Sequence, residues 1–355
     1  MKELTTFERM TRMYAHQEAD RVPITDSVWA STIERWHKEG MPENVTYHDY
    51  FGLDKFAHIG ADNSPKLPEK VIEETDEHII TMSSWGATLK NWKHHASVPE
   101  YIDYTIKDYD TWKKVKEGMK PTRDRINWAH LEKNYKQWRK EGRWITAGFW
   151  FGFDVTHSHA VGTERTLIAL IEQPEWIMDM FNTYLDTHIA LFQMVWDAGY
   201  HFDEIMWYDD MGYKGKQFFS VDMYREVLKP THKRACDWAK EKGVKVRLHS
   251  CGNILPFIPE FIDIGIGMLN PLEVKSGMDP VEIKKQFGDK IAMHGGLNAI
   301  LFKHPEQMWA EMKRVVPAVK KNGGYMLSTD HSVPEDVTLE QFKEFVRLGK
   351  ELGRY

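Results

Sequence analysis

From about residue 144 onward the chain repeats one pattern: a short apolar run, a polar turn, an amphipathic stretch, then the next apolar run. Such runs read as buried parallel strands, and the amphipathic stretches as the helices that cross back between them. The runs are WITAGFW (144–150), DEIMWY (203–208), VKVRLH (244–249), IGMLN (266–270), KIAMH (290–294) and YMLST (325–329). Between them, VDMYREVLKPTHKRACDWAKEKG sets Met223, Val227, Leu228, Ala235 and Trp238 at helical spacing and stops at Gly243. PEQMWAEMKRVVPAVKKNGG repeats the design, with Pro305 near its start and Gly323 at its end. The N-terminal half is less regular. RVPITD (21–26), after an opening helix, and KFAHIGAD (55–62) each read as one more strand, which completes a set of eight. Residues 70–90 alternate like a β-hairpin inserted after the second strand, and 108–142 read as helices rich in Lys, Trp and Tyr.

This alternation fits either a doubly wound open sheet or a closed barrel, and the placement of polar residues favours the barrel. In a closed parallel barrel the loops after the C-terminal strand ends build the active site. Asp26 follows the first run, Asp62 the second, Asp209 and Asp210 the fourth, and His249 with Cys251 the fifth. Asn270 and Glu273 follow the sixth, His294 and Asn298 the seventh, and Asp330 with His331 the eighth, while the third ends in Trp150, Phe151 and Phe153. The expected architecture is an α/β (β/α)8 TIM barrel with an irregular N-terminal half and an inserted β-hairpin. No linker, low-complexity tract or internal repeat divides the chain, so residues 1–355 are expected to form one domain.

Composition narrows the function classes. The length of 355 residues, 42% hydrophobic content and 14 tryptophans allow a large core. A formal charge of -6, from 47 basic and 53 acidic residues mixed along the chain, offers no basic patch for nucleic acid or anionic lipid. Two cysteines, Cys236 and Cys251, are too few for a disulfide framework and suit a reducing compartment. The opening residues lack an apolar leader core, and no stretch nears the roughly 18 apolar residues of a membrane span. A cytoplasmic enzyme with a small-molecule substrate is the expectation.

Acidic residues after strands often cap the following helix, which is a sufficient account of Asp26, Asn298 or Asp336. Histidine and cysteine are poor caps, and His249, Cys251, His294 and His331 all fall at one end of the predicted barrel. HSCGN (249–253) is the sharpest motif: imidazole and thiolate two residues apart form a ligand pair that zinc favours. A buried histidine beside an inert cysteine would read the same way in sequence. Asp330, Glu273, His331 and Asp210 are the groups available to complete a site, and Cys236 sits on the apolar side of a helix. Trp29, Trp85, Trp150, Phe151, Phe153, Trp207 and Tyr208 fall at or near mouth positions and would give flat apolar walls suited to an aromatic ligand. Trp29, Trp85, Trp150, Phe151 and Tyr208, with Asp210 and Asn270, form the expected substrate-binding set.

RLHSCGN, MLNPLE, IAMHGGLN and STDHSVPEDVTLEQFKEFV resemble, in order and spacing, the second half of uroporphyrinogen decarboxylase and its relatives, the cobalamin-linked methyltransferases. The early ADRVPI and the strand ending at Asp62 fit as well. The resemblance implies the barrel, and it implies that Asp62 matches the aspartate that decarboxylases direct at pyrrole nitrogens. Their arginine-containing segment after the first strand is replaced here by SVWASTIERW. The methyltransferase branch implies a zinc site: His249 and Cys251 match its His-x-Cys pair, and Asp330 stands where its later cysteine would be. With Glu273, these make the expected metal set. The reading that follows is a corrinoid-linked methyltransferase of the O-demethylase type, using zinc to polarise an ether oxygen of a methylated aromatic molecule. The methyl group would pass to a corrinoid carried by a partner protein, and Asp62, His294 and His331 would be the catalytic groups. The alternatives are a cofactor-free carboxy-lyase acting on a cyclic or heteroaromatic acid, and a non-catalytic tetrapyrrole or corrinoid binder. The inserted hairpin would either close over the site or pair with a second copy in a homodimer.

Overall fold

The computed structural model describes residues 3–94 and 98–355. In chain order its strands begin with β1 (Phe56–Gly60), followed by β2 (Lys70–Glu74), β3 (His78–Met82), β4 (Ala87–Trp92) and β5 (Glu100–Tyr104). Next come β6 (Trp144–Phe149), β7 (Glu204–Tyr208), the two-residue β8 (Gly212–Tyr213) and β9 (Lys216–Gln217), and then β10 (Lys245–His249), β11 (Met268–Asn270), β12 (Ala292–His294) and β13 (Tyr325–Met326). β1, β6, β7, β10, β11, β12 and β13 pair in parallel, in that order, as one curled sheet. Each coincides with a run read from the sequence.

Alternation sorts the side chains between two environments. On β6, Ile145, Ala147 and Phe149 are buried outside the ring, where Phe149 stacks on Phe192 of the helix Pro174–Asp197 at 4.8 Å. On β7 and β10 the outward positions are Ile205, Trp207, Val246 and Leu248, all buried. The inward positions are mixed. Near the base, Trp144, Met268, Ala292 and Met326 meet Met10, Met13 and Tyr14 of the opening helix (Thr6–Tyr14), which closes the bottom of the barrel. Higher up the inward residues turn polar.

The first predicted strand, 21–26, takes the eighth place in the ring without forming a regular ladder. Leu327 donates its N–H to the Pro23 carbonyl (2.8 Å) and Thr25 donates to the Leu327 carbonyl (3.2 Å), which joins this segment to β13. On the other side the backbone link among the described residues is Asp54 N–H to the Ile24 carbonyl (2.9 Å). On that side the Asp54 carboxylate takes the place of a strand partner. It accepts from Ile24 N–H (2.7 Å), from Arg21 (2.7 Å) and from Arg9, and is itself fully buried.

The insertion after β1 is larger than the expected hairpin. β2, β3, β4 and β5 form a four-stranded antiparallel sheet, in which Glu100–Tyr104 adds to the far side of β4. The helices expected within 108–142 are Tyr109–Lys116 and Trp128–Lys140. Among the described residues, no helix is long and apolar enough to cross a membrane.

Asp54→Ala would leave two buried guanidinium groups, Arg9 and Arg21, without their shared partner. A loss of about 3–5 kcal/mol in urea unfolding is expected; a loss below about 1 kcal/mol would mean that Asp54 does not hold the ring closed.

Candidate functional site at the barrel mouth

The ends of β7, β10 and β11 are in register: His249 pairs with Tyr208 on one side and Asn270 on the other. His249 donates its Nδ1–H to Asn270 Oδ1 at 2.6 Å, which fixes the tautomer and leaves the Nε2 lone pair free. Nε2 lies 3.4 Å from Cys251 Sγ and 3.8 Å from Asp210 Oδ1. The loop that carries the thiol is held from both sides, by Cys251 N–H to Asp210 Oδ1 and Gly252 N–H to Glu273 Oε2, each 2.7 Å. Glycine is required at 252: its φ is +77° and a Cβ would stand 2.1 Å from the Gly212 backbone carbon.

Asp210, His249 and Cys251 therefore offer an oxygen, a nitrogen and a sulfur whose donor atoms all lie within 4.8 Å of one another. Burial pulls His249 below its usual range, against the opposing charge of Asp210, so its imidazole is neutral and able to ligate. Burial, reinforced by Asp210 and Glu273, pushes the Cys251 thiol up. Without a cation it is a neutral thiol; a bound divalent ion would take it to thiolate. The donor set fits a zinc-class metal.

The cluster opens into a cavity of about 780 Å³. Of the residues expected from sequence, Tyr208, Asp210, His249, Cys251, Asn270, His294, Asp330 and His331 line it. Asp330 is not in the metal-binding group. It is fully buried, and its two oxygens accept from Ala299 N–H (3.0 Å) and Val274 N–H (3.2 Å), so it braces two loops. Glu273 is outside the lining and holds Gly252. Asp62 is outside it too: the chain after β1 turns away to bridge Ile126, and Asp62 Oδ1 caps Ser64 N–H at 2.8 Å. Trp29, Trp85, Trp150 and Phe151 do not form walls of the cavity. Trp29 precedes the helix Ala30–Lys38, Trp85 packs edge-on against Trp150 and Tyr184, and fully buried Phe151 packs on Trp207. The cavity is also lined by Asp26, a strand-end residue for which capping was a sufficient account, and by His58, Thr146, Met206 and Arg247, inward strand positions that sequence reasoning did not single out.

A family model for uroporphyrinogen decarboxylase (URO-D) matches residues 89–352. The chain belongs to the uroporphyrinogen decarboxylase family. Among solved structures, a methyltransferase from Methanosarcina mazei has the same fold, with a TM-score of 0.67 at 17% identity over 98% of this chain and 99% of that one. A B12-independent methionine synthase from Shewanella sp. W3-18-1 is more distant, with a TM-score of 0.42 at 11% identity over 86% of this chain and 83% of that one. No curated protein matches the chain.

In this URO-D family member the deeper cavity is held by buried ion pairs and hydrogen bonds. Arg247 lies 2.7 Å from Glu204, which also accepts from Thr146 Oγ1 (3.0 Å) and the Tyr14 hydroxyl. Arg247 Nη1 donates to His294 Nδ1 at 3.3 Å. Burial first, and Arg247 second, push His294 well down, so this imidazole is neutral. His331 is exposed at the mouth. Asp26 accepts from Thr329 N–H (3.0 Å), Thr329 Oγ1 (2.8 Å) and Ser27 N–H (3.0 Å), and ties the first strand to the eighth at the mouth.

Burial pushes the Asp26 carboxyl up to about 7 despite those donors. The folded protein thus holds this proton more tightly than the unfolded chain, whose carboxyl titrates near 4. The stability it contributes is complete below about pH 4 and lost as pH rises toward 7. Asp26→Asn removes the titration. Its stability relative to wild type, measured by urea unfolding, is expected to improve by about 2–3 kcal/mol from pH 5 to pH 7, whereas a flat difference would contradict this assignment.

Proposed function

We propose that this chain is a corrinoid-linked methyltransferase of the O-demethylase type, which takes a methylated small molecule into the mouth cavity and delivers its methyl group to a corrinoid carried by a partner protein. The observation that carries the reading is the convergence of Asp210, His249 and Cys251 at adjoining strand ends, with His249 oriented by Asn270. Membership of the URO-D family and a fold shared with a methyltransferase support it. A zinc-class cation held by these three groups would supply Lewis-acid polarisation of a substrate oxygen. The chain's own part is to bind and orient. Tyr208, its ring centroid 4.4 Å from that of His249, walls one side of the cluster. His331, exposed at the mouth, would exchange a proton with the departing oxygen. The carboxy-lyase alternative would need Asp62 at the substrate, and Asp62 is tied to the Ser64 turn outside the cavity.

Metal content tests the reading directly. After incubation with zinc and dialysis, wild-type protein is expected to hold about one ion per chain. Cys251→Ser and Asp210→Asn are expected to lose it, and Asp330→Asn to keep it. Failure of the wild type to retain zinc, or equal loss in Asp330→Asn and Cys251→Ser, would overturn the assignment.

A further inference from the structure

Away from the metal cluster the cavity has a second polar pole. His58 takes an inward position on β1, is open to the cavity, and has no hydrogen-bond partner for either ring nitrogen among the described residues. Its ring occupies space left by a missing side chain: a Cβ at Gly148 of β6 would lie 2.2 Å from His58 Cε1 and 2.5 Å from Nε2. β6 and β7 separate β1 from β10, which puts His58 across the ring from His249. Arg247 lines the same cavity two residues before His249, and so about 6.6 Å deeper along the strand. Beside it, His294 Nε2 is buried without a partner.

Charge agrees with this geometry. Although Arg247 is paired with Glu204, the guanidinium has the greater effect at His58: burial lowers the imidazole first, Arg247 lowers it further, and Glu204 opposes less. Arg247 acts in the same direction on His294. At the floor of the cavity the Arg247 guanidinium and the unpartnered His58 imidazole thus face the same space. Most of the residues that line the cavity carry polar side chains, and Phe56, Ala57, Met206 and Pro271 add apolar surface.

We propose that this floor, formed by His58 with Arg247 and His294, holds the carboxylate of an anionic substrate whose opposite end reaches Asp210, His249 and Cys251. A single negative charge suits a guanidinium already shared with Glu204, and His58 supplies an N–H to one carboxylate oxygen. The inference rests on the mouth cavity being the substrate site of the proposed methyltransferase, but not on the metal.

Calorimetric titration with benzoate and its uncharged counterpart, benzyl alcohol, tests it. Wild-type protein is expected to bind benzoate at least about ten-fold more tightly than benzyl alcohol. Cys251→Ser, which disrupts the metal cluster, is expected to keep that preference. His58→Leu is expected to abolish it and His58→Gln, which keeps an N–H donor, to retain most of it. Gly148→Ala, which displaces the ring, is expected to behave like His58→Leu. Three results would overturn the proposal: no benzoate binding by the wild type, equal affinity for the two probes, or a preference lost in Cys251→Ser and intact in His58→Leu. None of these depends on whether zinc binds, so the floor and the metal cluster stand or fall separately.

Discussion

A ring of parallel strands closes only if its last strand meets its first, and in this protein the meeting segment, residues 21–26, contains Pro23. Backbone hydrogen bonds through Leu327 join this segment to β13, and side chains reinforce the sparse ladder around it. Asp54 secures the lower end by binding Ile24 N–H, Arg21 and Arg9, and Asp26 secures the upper end by binding Thr329. Two buried carboxyl groups thus reinforce a closure that has few backbone hydrogen bonds. Closure matters for the site because β13 and the loop that follows it carry Thr329, Asp330 and His331 to the mouth. In an open sheet these groups would not share a cavity with His249.

Once the ring is closed, strand parity decides which residues meet. His249, Tyr208 and Asn270 lie side by side because parallel register aligns the ends of β10, β7 and β11. The same parity sends Phe149 and Trp207 outward into the helix layer, away from any ligand. The cavity therefore has a polar lining in a chain rich in tryptophan. Its two poles, the proposed metal site at the rim and the His58, Arg247 and His294 floor, are set by alternate positions on the same few strands.

Much of this was legible in the sequence, and the gaps have physical causes. The seven sheet strands and HSCGN could be read directly, since apolar runs and a His-x-Cys pair at a strand end are local signals. The third metal-binding group was not local. Asp210 and Asp330 both follow strands, and only the loop conformations show that Asp330 is occupied by Ala299 and Val274 N–H while Asp210 turns toward Cys251. Of the expected aromatic wall Tyr208 lines the cavity and Trp207 faces outward by strand parity, while Trp29, Trp85, Trp150 and Phe151 lie outside the regular strands, where closeness to a strand end does not set direction. His58 and Arg247 were missed because attention went to loops, although the alternation in KFAHIG and VKVRLH marks both as inward polar positions. The insertion was underestimated because only its first part, 70–90, was read as alternating.

The parallel register of β7 and β10 brings Asp210, His249 and Cys251 to one point, where we propose that they bind a single cation. Zinc K-edge X-ray absorption on the zinc-loaded protein tests it most directly. The account predicts a mixed shell, with one sulfur at about 2.3 Å and the remaining nitrogen or oxygen ligands at about 2.0–2.2 Å. A shell without sulfur, or one left unchanged by Cys251→Ser, would contradict it.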